Sequence, residues 1–202
     1  MISVICATCK RRWLLASVLI SSTIIAAAGP TSTLPTVGTA PDFALTTQDK
    51  QALSLRDLRG KVVAVTFIFT QCRDTCPVLT SKLVGVQRKL ANAADSNIAF
   101  VAISLTPKHD TPDVLKRYAQ AHGADLARWS FLTGDEKQIQ LLAKQYGVFV
   151  KQKDKADEVD HGFLTSIVDR NGLIRVQYMG VRFAPDELLA DLRALSQEPA
   201  SK

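Results

Sequence analysis

VVAVTFIFTQCRDTCPVLTSKL, residues 62–83, decides the fold. An apolar run rich in β-branched and aromatic residues, 62–69, breaks at Gln71 and delivers Cys72 and Cys76 before Pro77 leads into a helical pattern. Such a run reads as a buried strand, followed by a loop and a helix. Proline suits a first helical position because its missing N–H has no intrahelical partner to lose, which puts Cys76 at or beside the N-cap. Both sulfurs are then expected near a helix N-terminus. Partial positive charge there favours thiolate over thiol and equips the pair for redox chemistry or for a soft metal ion.

Working outward, Leu79, Leu83, Val86 and Leu90 recur at helical spacing and give the helix one buried face. Residues 98–105 form a second strand-like run, ending in TPKHDTP. Pro112 after Thr111 opens another helix, whose face is Val114, Leu115 and Tyr118. A third strand is expected at 129–132, and an amphipathic helix at 135–146 carries Ile139, Leu142 and Tyr146, with Gly147 as its stop. The charged run 151–160 reads as a solvated loop leading to His161. After it come a strand at 164–169, a two-residue hairpin signal at Asn171-Gly172, a return strand at 173–178 and a closing helix at 185–195. Upstream, 43–45 and 53–55 alternate around the polar 48–51 as a short hairpin. Strands alternating with helices before a terminal hairpin predict an α/β fold: a central mixed sheet, helices on both faces and an N-terminal β-hairpin extension.

The chain has 202 residues, 47% of them hydrophobic, enough for one domain with a real core. Its formal charge is +6, of which Lys10, Arg11 and Arg12 supply three before any acidic residue. No basic stripe with interleaved aromatics follows, so no nucleic-acid partner is expected. Those three charges precede a sixteen-residue apolar run, 13–28, ending in Ala26-Ala27-Ala28. This is an export signal, either cleaved or kept as a short anchor, since the run rises about 24 Å as a helix against a hydrocarbon core of about 30 Å. The expected organisation is a signal peptide or anchor at 1–28, a Pro/Thr/Ser/Gly-rich linker at 29–40 and one domain at 41–198. With the cations kept inside, that domain lies on the periplasmic side of the inner membrane, anchored or released.

Of four cysteines, Cys6 and Cys9 fall in the leader, so the exported domain holds only Cys72 and Cys76. A disulfide between them closes a loop of five residues and constrains the unfolded chain by only about 2 kcal/mol, against about 3 for fifteen residues. A poor staple in an oxidising compartment is better read as a pair kept for reversible chemistry. Cys6 and Cys9 have no second ligand pair near them and are assigned no role in the domain.

FTQCRDTCP, ISLTPKHDTPDVL, YGV and VDHGFLTSIVDRNGLI together resemble the SCO/SenC family, thioredoxin-fold proteins that carry copper to cytochrome oxidase. The similarity runs from about Ala40 to the last helix. It implies a thioredoxin-like domain in which Cys72 and Cys76 are thiolate ligands of copper and His161 is the third ligand. Asp74 matches an acidic position of the family's loop, Arg73 stands where proline is usual, and Thr106 stands where an aspartate is usual. The chemistry agrees: two thiolates suit Cu(I), and an added imidazole makes a set that also holds Cu(II). In such a topology His161 and Gly162 occupy the place of the thioredoxin cis-proline, and Gly162 lets backbone come close to the metal. His109 and His122 lack a cysteine or carboxylate partner in an obvious motif and are read as locally satisfied. Met179 is read as packing.

The resemblance therefore implies a metallochaperone that assists assembly of the binuclear copper site in the copper-containing subunit of cytochrome c oxidase. Thioredoxin-like reductants and other copper carriers are further expected partners. The alternative is a thiol-disulfide oxidoreductase without metal, although its usual motif has two residues between the cysteines and this chain has Arg73, Asp74 and Thr75. A thiol peroxidase fits less well, because Phe69 and Arg73 stand where a threonine three residues before a cysteine is wanted. A copper or redox sensor is the remaining class.

Overall fold

In a computed structural model the described residues are 34–90, 95–152 and 159–199, those at 151–152 and 159–161 by backbone only. The predicted leader with Cys6 and Cys9, the start of the linker and the middle of the charged run lie outside them. In chain order the elements are β1 (Gly38–Thr39), β2 (Ala44–Thr47), β3 (Ala52–Ser54), β4 (Val62–Ile68), α1 (Thr75–Lys89), β5 (Ile98–Ser104) and α2 (Pro112–His122). They continue as β6 (Trp129–Thr133), α3 (Glu136–Gln145), β7 (Val150–Gln152), β8 (Val159–His161), β9 (Leu164–Val168), β10 (Leu173–Met179) and α4 (Pro185–Gln197). Among the described residues no helix is long and apolar enough to cross a membrane.

β4 is the middle of the sheet because its sequence leaves it no alternative. Every one of its residues is buried, and both of its edges are paired: β5 runs parallel from Val62↔Ile98 to Ile68↔Ser104, and β9 runs antiparallel from Thr66↔Thr165 to Val63↔Val168. Side chains alternate across a pleat, so a run apolar at every position but Thr66 demands cover on both faces. Val62, Ala64 and Ile68 join Leu79 and Leu83 of α1, Leu115 of α2 and Leu188 and Leu192 of α4 in one core. Val63, Val65 and Phe67 join Ile139 and Leu142 of α3 and Tyr146 just after it, together with Phe43 and Leu45, in the other. The sheet order is β1-β10-β9-β4-β5-β6-β2-β3, with β7 and β8 paired separately. This is the thioredoxin-like arrangement of mixed sheet, helices on both faces and added N-terminal hairpin.

Local signals account for the helix ends. The Thr111 hydroxyl accepts the Val114 N–H ahead of Pro112, and Asp135 accepts the Gln138 N–H at the start of α3, each satisfying a first-turn donor. α3 stops at Gly147, whose φ of 85° suits a residue without a Cβ.

Three details depart from expectation. α1 begins at Thr75 with Asp74 at the N-cap, so Pro77 sits at the third position of the first turn, where an N–H still has no helical acceptor. The β9–β10 loop has three residues rather than two. Gly172 donates to the Asp169 carbonyl, the Asp169 N–H donates to the Leu173 carbonyl, and only Gly172 takes positive φ, so a type I turn with a glycine bulge replaces the mirror-image turn. Residues 34–40, the end of the expected linker, lie along β10: Val37 N donates to Ile174 O at 2.8 Å, Ala40 N to Gly172 O at 2.9 Å, and Arg175 holds the carbonyls of Leu34 and Pro35.

Leu83 is fully buried between α1, the sheet and the other helices of its face. Leu83→Ala is expected to cost about 2–5 kcal/mol, read as a lower urea midpoint at unchanged slope.

Candidate metal centre

β4 ends inside the core, and the chain leaves the sheet at Phe69 to begin the loop that carries the cysteines. Loops at the C-terminal ends of parallel strands are where α/β sheets place their sites. A turn from Phe69 O to Cys72 N at 3.3 Å folds the loop back toward the helix. Asp74 offers α1 no side-chain cap. The Cys76 N–H instead donates to Cys72 Sγ at 3.4 Å, so one cysteine takes up a helical donor belonging to the other. Both sulfurs are therefore gathered at the first turn, and both are free thiols.

They are not equivalent. Cys76 is 0% exposed and belongs to the apolar core beside Leu79, whereas Cys72 is half-buried at its edge. Burial pushes the Cys76 thiol well up from its usual range, and a hydrogen bond from the Phe69 backbone pulls the other way without overcoming it. The helix N-terminus favours the thiolate at both sulfurs, and at Cys76 loss of water works against it. Its proton leaves when something of sufficient affinity replaces it.

His161 ends β8, paired with Val150 of β7, and Gly162 N donates to Phe149 O at 2.9 Å. The His161 side chain lies outside the described residues. Topology fixes where its backbone goes, because β9 starts three residues later and runs antiparallel to β4 with Thr165 opposite Thr66. The start of β9 is therefore at the end of β4 from which the cysteine loop departs. Gly162 has ordinary backbone angles, and a Cβ there would meet only Phe149 N at 3.8 Å. Among the described residues neither a positive φ nor crowding calls for glycine at that position. Among the described residues no three His, Cys, Asp or Glu side chains come together as a ligand set.

The other candidates fall into place. His122, on α2, lies tilted against Tyr118 at 4.4 Å between centroids with its Nδ1 3.4 Å from Ser81 Oγ, and burial lowers its pKa. Met179 stands exposed at the end of β10, opposite Leu164. His109 differs from expectation, since it has a carboxylate partner: its Nδ1 lies 3.1 Å from Asp110 Oδ1, and its Nε2 lies 2.9 Å from Gln71 Nε2. An amide nitrogen only donates, so Nε2 accepts and the proton on Nδ1 goes to the carboxylate.

Asp110 is the residue that sequence reasoning passed over. Its side chain is fully buried and accepts from Thr70 N at 3.1 Å, Thr70 Oγ1 at 2.5 Å, Ser104 Oγ at 2.6 Å and Thr106 Oγ1 at 3.0 Å, besides His109. Thr106, where the family usually has aspartate, is thus a donor to a carboxylate four residues on. The signal was a dense polar cluster, Ser104, Thr106, His109, Asp110 and Thr111, straight after a fully buried strand.

Comparison with known proteins agrees with this architecture. The "SCO1 protein homolog" of Bacillus subtilis (strain 168) is 31% identical over 157 residues, which span 76% of this chain and 81% of that protein. BsSco, a member of the Sco family of cytochrome c oxidase assembly proteins in which a disulfide switch was identified, superposes with a TM-score of 0.72 at 28% identity, over 82% of this chain and 98% of its own. Bradyrhizobium japonicum ScoI, solved with copper bound, gives a TM-score of 0.68 at 28% identity, over 78% and 99%. With the SCO1/SenC family model matching residues 32–197, nearly the whole of the described fold, this chain belongs to the SCO1/SenC family.

Proposed function

We propose that this protein is a copper metallochaperone that binds its cargo through Cys72, Cys76 and His161 and serves assembly of the binuclear copper site of cytochrome c oxidase. The observation that carries the reading is the Cys76 N–H bond to Cys72 Sγ, which gathers the only two cysteines of the domain at one helical turn. Soft sulfur donors suit Cu(I), and the buried member gives the ion a partly dry seat. BsSco's membership of a family of cytochrome c oxidase assembly proteins and the copper bound in Bradyrhizobium japonicum ScoI support the same assignment. The oxidase subunit that receives copper and a reductant for the pair are the partners this implies. The apolar leader would put both encounters on the periplasmic side of the membrane.

A second reading, a thiol-disulfide oxidoreductase, is favoured by the contrast between a half-buried Cys72 and a buried Cys76, which resembles an attacking and a resolving sulfur. The two readings part at His161. A reductase needs only its sulfurs, whereas Cu(II) wants a nitrogen ligand beside them. His161→Ala is expected to keep the fold and the Cys72–Cys76 disulfide, retain part of the Cu(I) binding and lose stable Cu(II) binding. Optical titration of the thiolate-to-copper charge-transfer band beside a disulfide assay checks this. An unchanged Cu(II) spectrum and affinity would remove His161 from the site and favour the reductase.

Cys72→Ser and Cys76→Ser should each abolish both copper binding and the disulfide, measured by metal content and thiol titration. Survival of parental copper binding in either variant would refute a two-sulfur site. Copper must displace the Cys76 proton, which burial holds tightly. Apparent affinity should then fall about tenfold per pH unit for each thiol proton displaced, between about pH 8 and pH 6, in a competition assay with a chelator corrected for its own protonation. A flat profile would count against thiolate ligation.

A further inference from the structure

Asp110 is a carboxylate with no exposed surface, and it takes no part in the ligand set proposed above. It sits in the loop after β5, yet two of its five bonds reach across to the loop after β4: Thr70 N at 3.1 Å and Thr70 Oγ1 at 2.5 Å. A third contact arrives indirectly, through His109 Nδ1 on the carboxylate and Gln71 Nε2 on the other ring nitrogen. Thr70 and Gln71 are the two residues immediately before Cys72. The remaining donors, Ser104 Oγ and Thr106 Oγ1, belong to its own side of the junction. A buried carboxylate bonded by several donors is rigid, because losing any one leaves charge unsatisfied in a dry place.

We infer that Asp110 is the positioning residue of the cysteine pair: it fixes the backbone at Thr70 and, through His109, the side chain of Gln71, and so holds Cys72 Sγ over the first turn of α1, against Cys76. The inference rests on reading Cys72 and Cys76 as one working unit. Preorganisation is what it supplies. Two sulfurs already held at one turn have a high effective concentration toward each other and toward a metal that bridges them. Freed from the carboxylate, the segment before Cys72 samples other arrangements, and every product that needs both sulfurs together becomes less favourable. In disulfide formation the two thiols lose two protons and two electrons to glutathione disulfide, which is reduced to two molecules of glutathione, so the equilibrium with glutathione measures this effective concentration directly.

The test uses the full-length chain carrying Cys6→Ser and Cys9→Ser, so that only the domain pair reacts. Asp110→Asn removes the charge, and Thr70→Val removes one donor while leaving Asp110 its other partners. Ser104→Ala removes a comparable donor to the same carboxylate from the side that does not carry Cys72. Thr70→Val and Asp110→Asn should lower the equilibrium constant for the Cys72–Cys76 disulfide about tenfold, equivalent to about 30 mV, and lower Cu(I) affinity by a similar factor. Ser104→Ala should lower thermal stability but leave both equilibria within about twofold of the parent. A folded Thr70→Val within twofold of the parent would overturn the inference. So would a Ser104→Ala shift as large as that of Thr70→Val, since the carboxylate would then act through general stability. Should Asp110→Asn not fold, Thr70→Val and Ser104→Ala decide. If the parent forms its disulfide but takes no copper, the metallochaperone reading fails while the glutathione equilibrium still judges Asp110.

Discussion

The structure depends on β4 being buried on both faces. Seven consecutive residues without a solvent-facing side chain cannot lie at an edge or on a one-sided sheet. They require neighbours at both edges and a helical layer above and below, and the rest of the chain supplies these in turn. The same constraint explains where the chemistry is. β4 carries one polar side chain, Thr66, which is buried and donates to the Leu164 carbonyl, and the next polar groups, Thr70, Gln71 and Cys72, come together in the loop at one end of the sheet. β5 repeats the pattern beside it and delivers Ser104, Thr106, His109 and Asp110 to the same end. Two parallel strands in register thus bring two polar loops face to face.

Within that junction two electrostatic effects compete at Cys76, and their sizes decide the outcome. A helix N-terminus stabilises an anion by about 0.3–1 kcal/mol at an exposed position. Withdrawal of a charged sulfur from water costs several times that. Cys76 is wholly buried, and burial favours its neutral thiol, while its N–H at the first turn of α1 is met by the sulfur of Cys72. One motif therefore yields two sulfurs with different standing toward water.

Much of this was legible in the sequence, and the misses share a cause. The two-sided run at β4, the helical spacing of Leu79, Leu83 and Val86, the caps at Thr111 and Asp135 and the stop at Gly147 are local patterns, and each appears where its pattern put it. The cysteine pair at the start of α1 was equally local. Asp110 was not, because its importance comes from Thr70, forty residues earlier, and nothing in TPKHDTP names that partner. Burial of Cys76 was missed for the same reason: a motif gives position along the helix, and only packing in the core says how much water reaches it. The short turn at Asn171-Gly172 erred on a finer scale, since Asn171 does not take the positive φ that the mirror-image turn requires.

The sheet's outermost strands carry a separate consequence. β1 has two residues and β3 has three, and they close an eight-stranded sheet at its two sides. Long flat edges invite other chains to add strands, the first step toward fibres. Two residues in β1 and three in β3 leave each terminal strand with few backbone groups for an incoming strand to pair with.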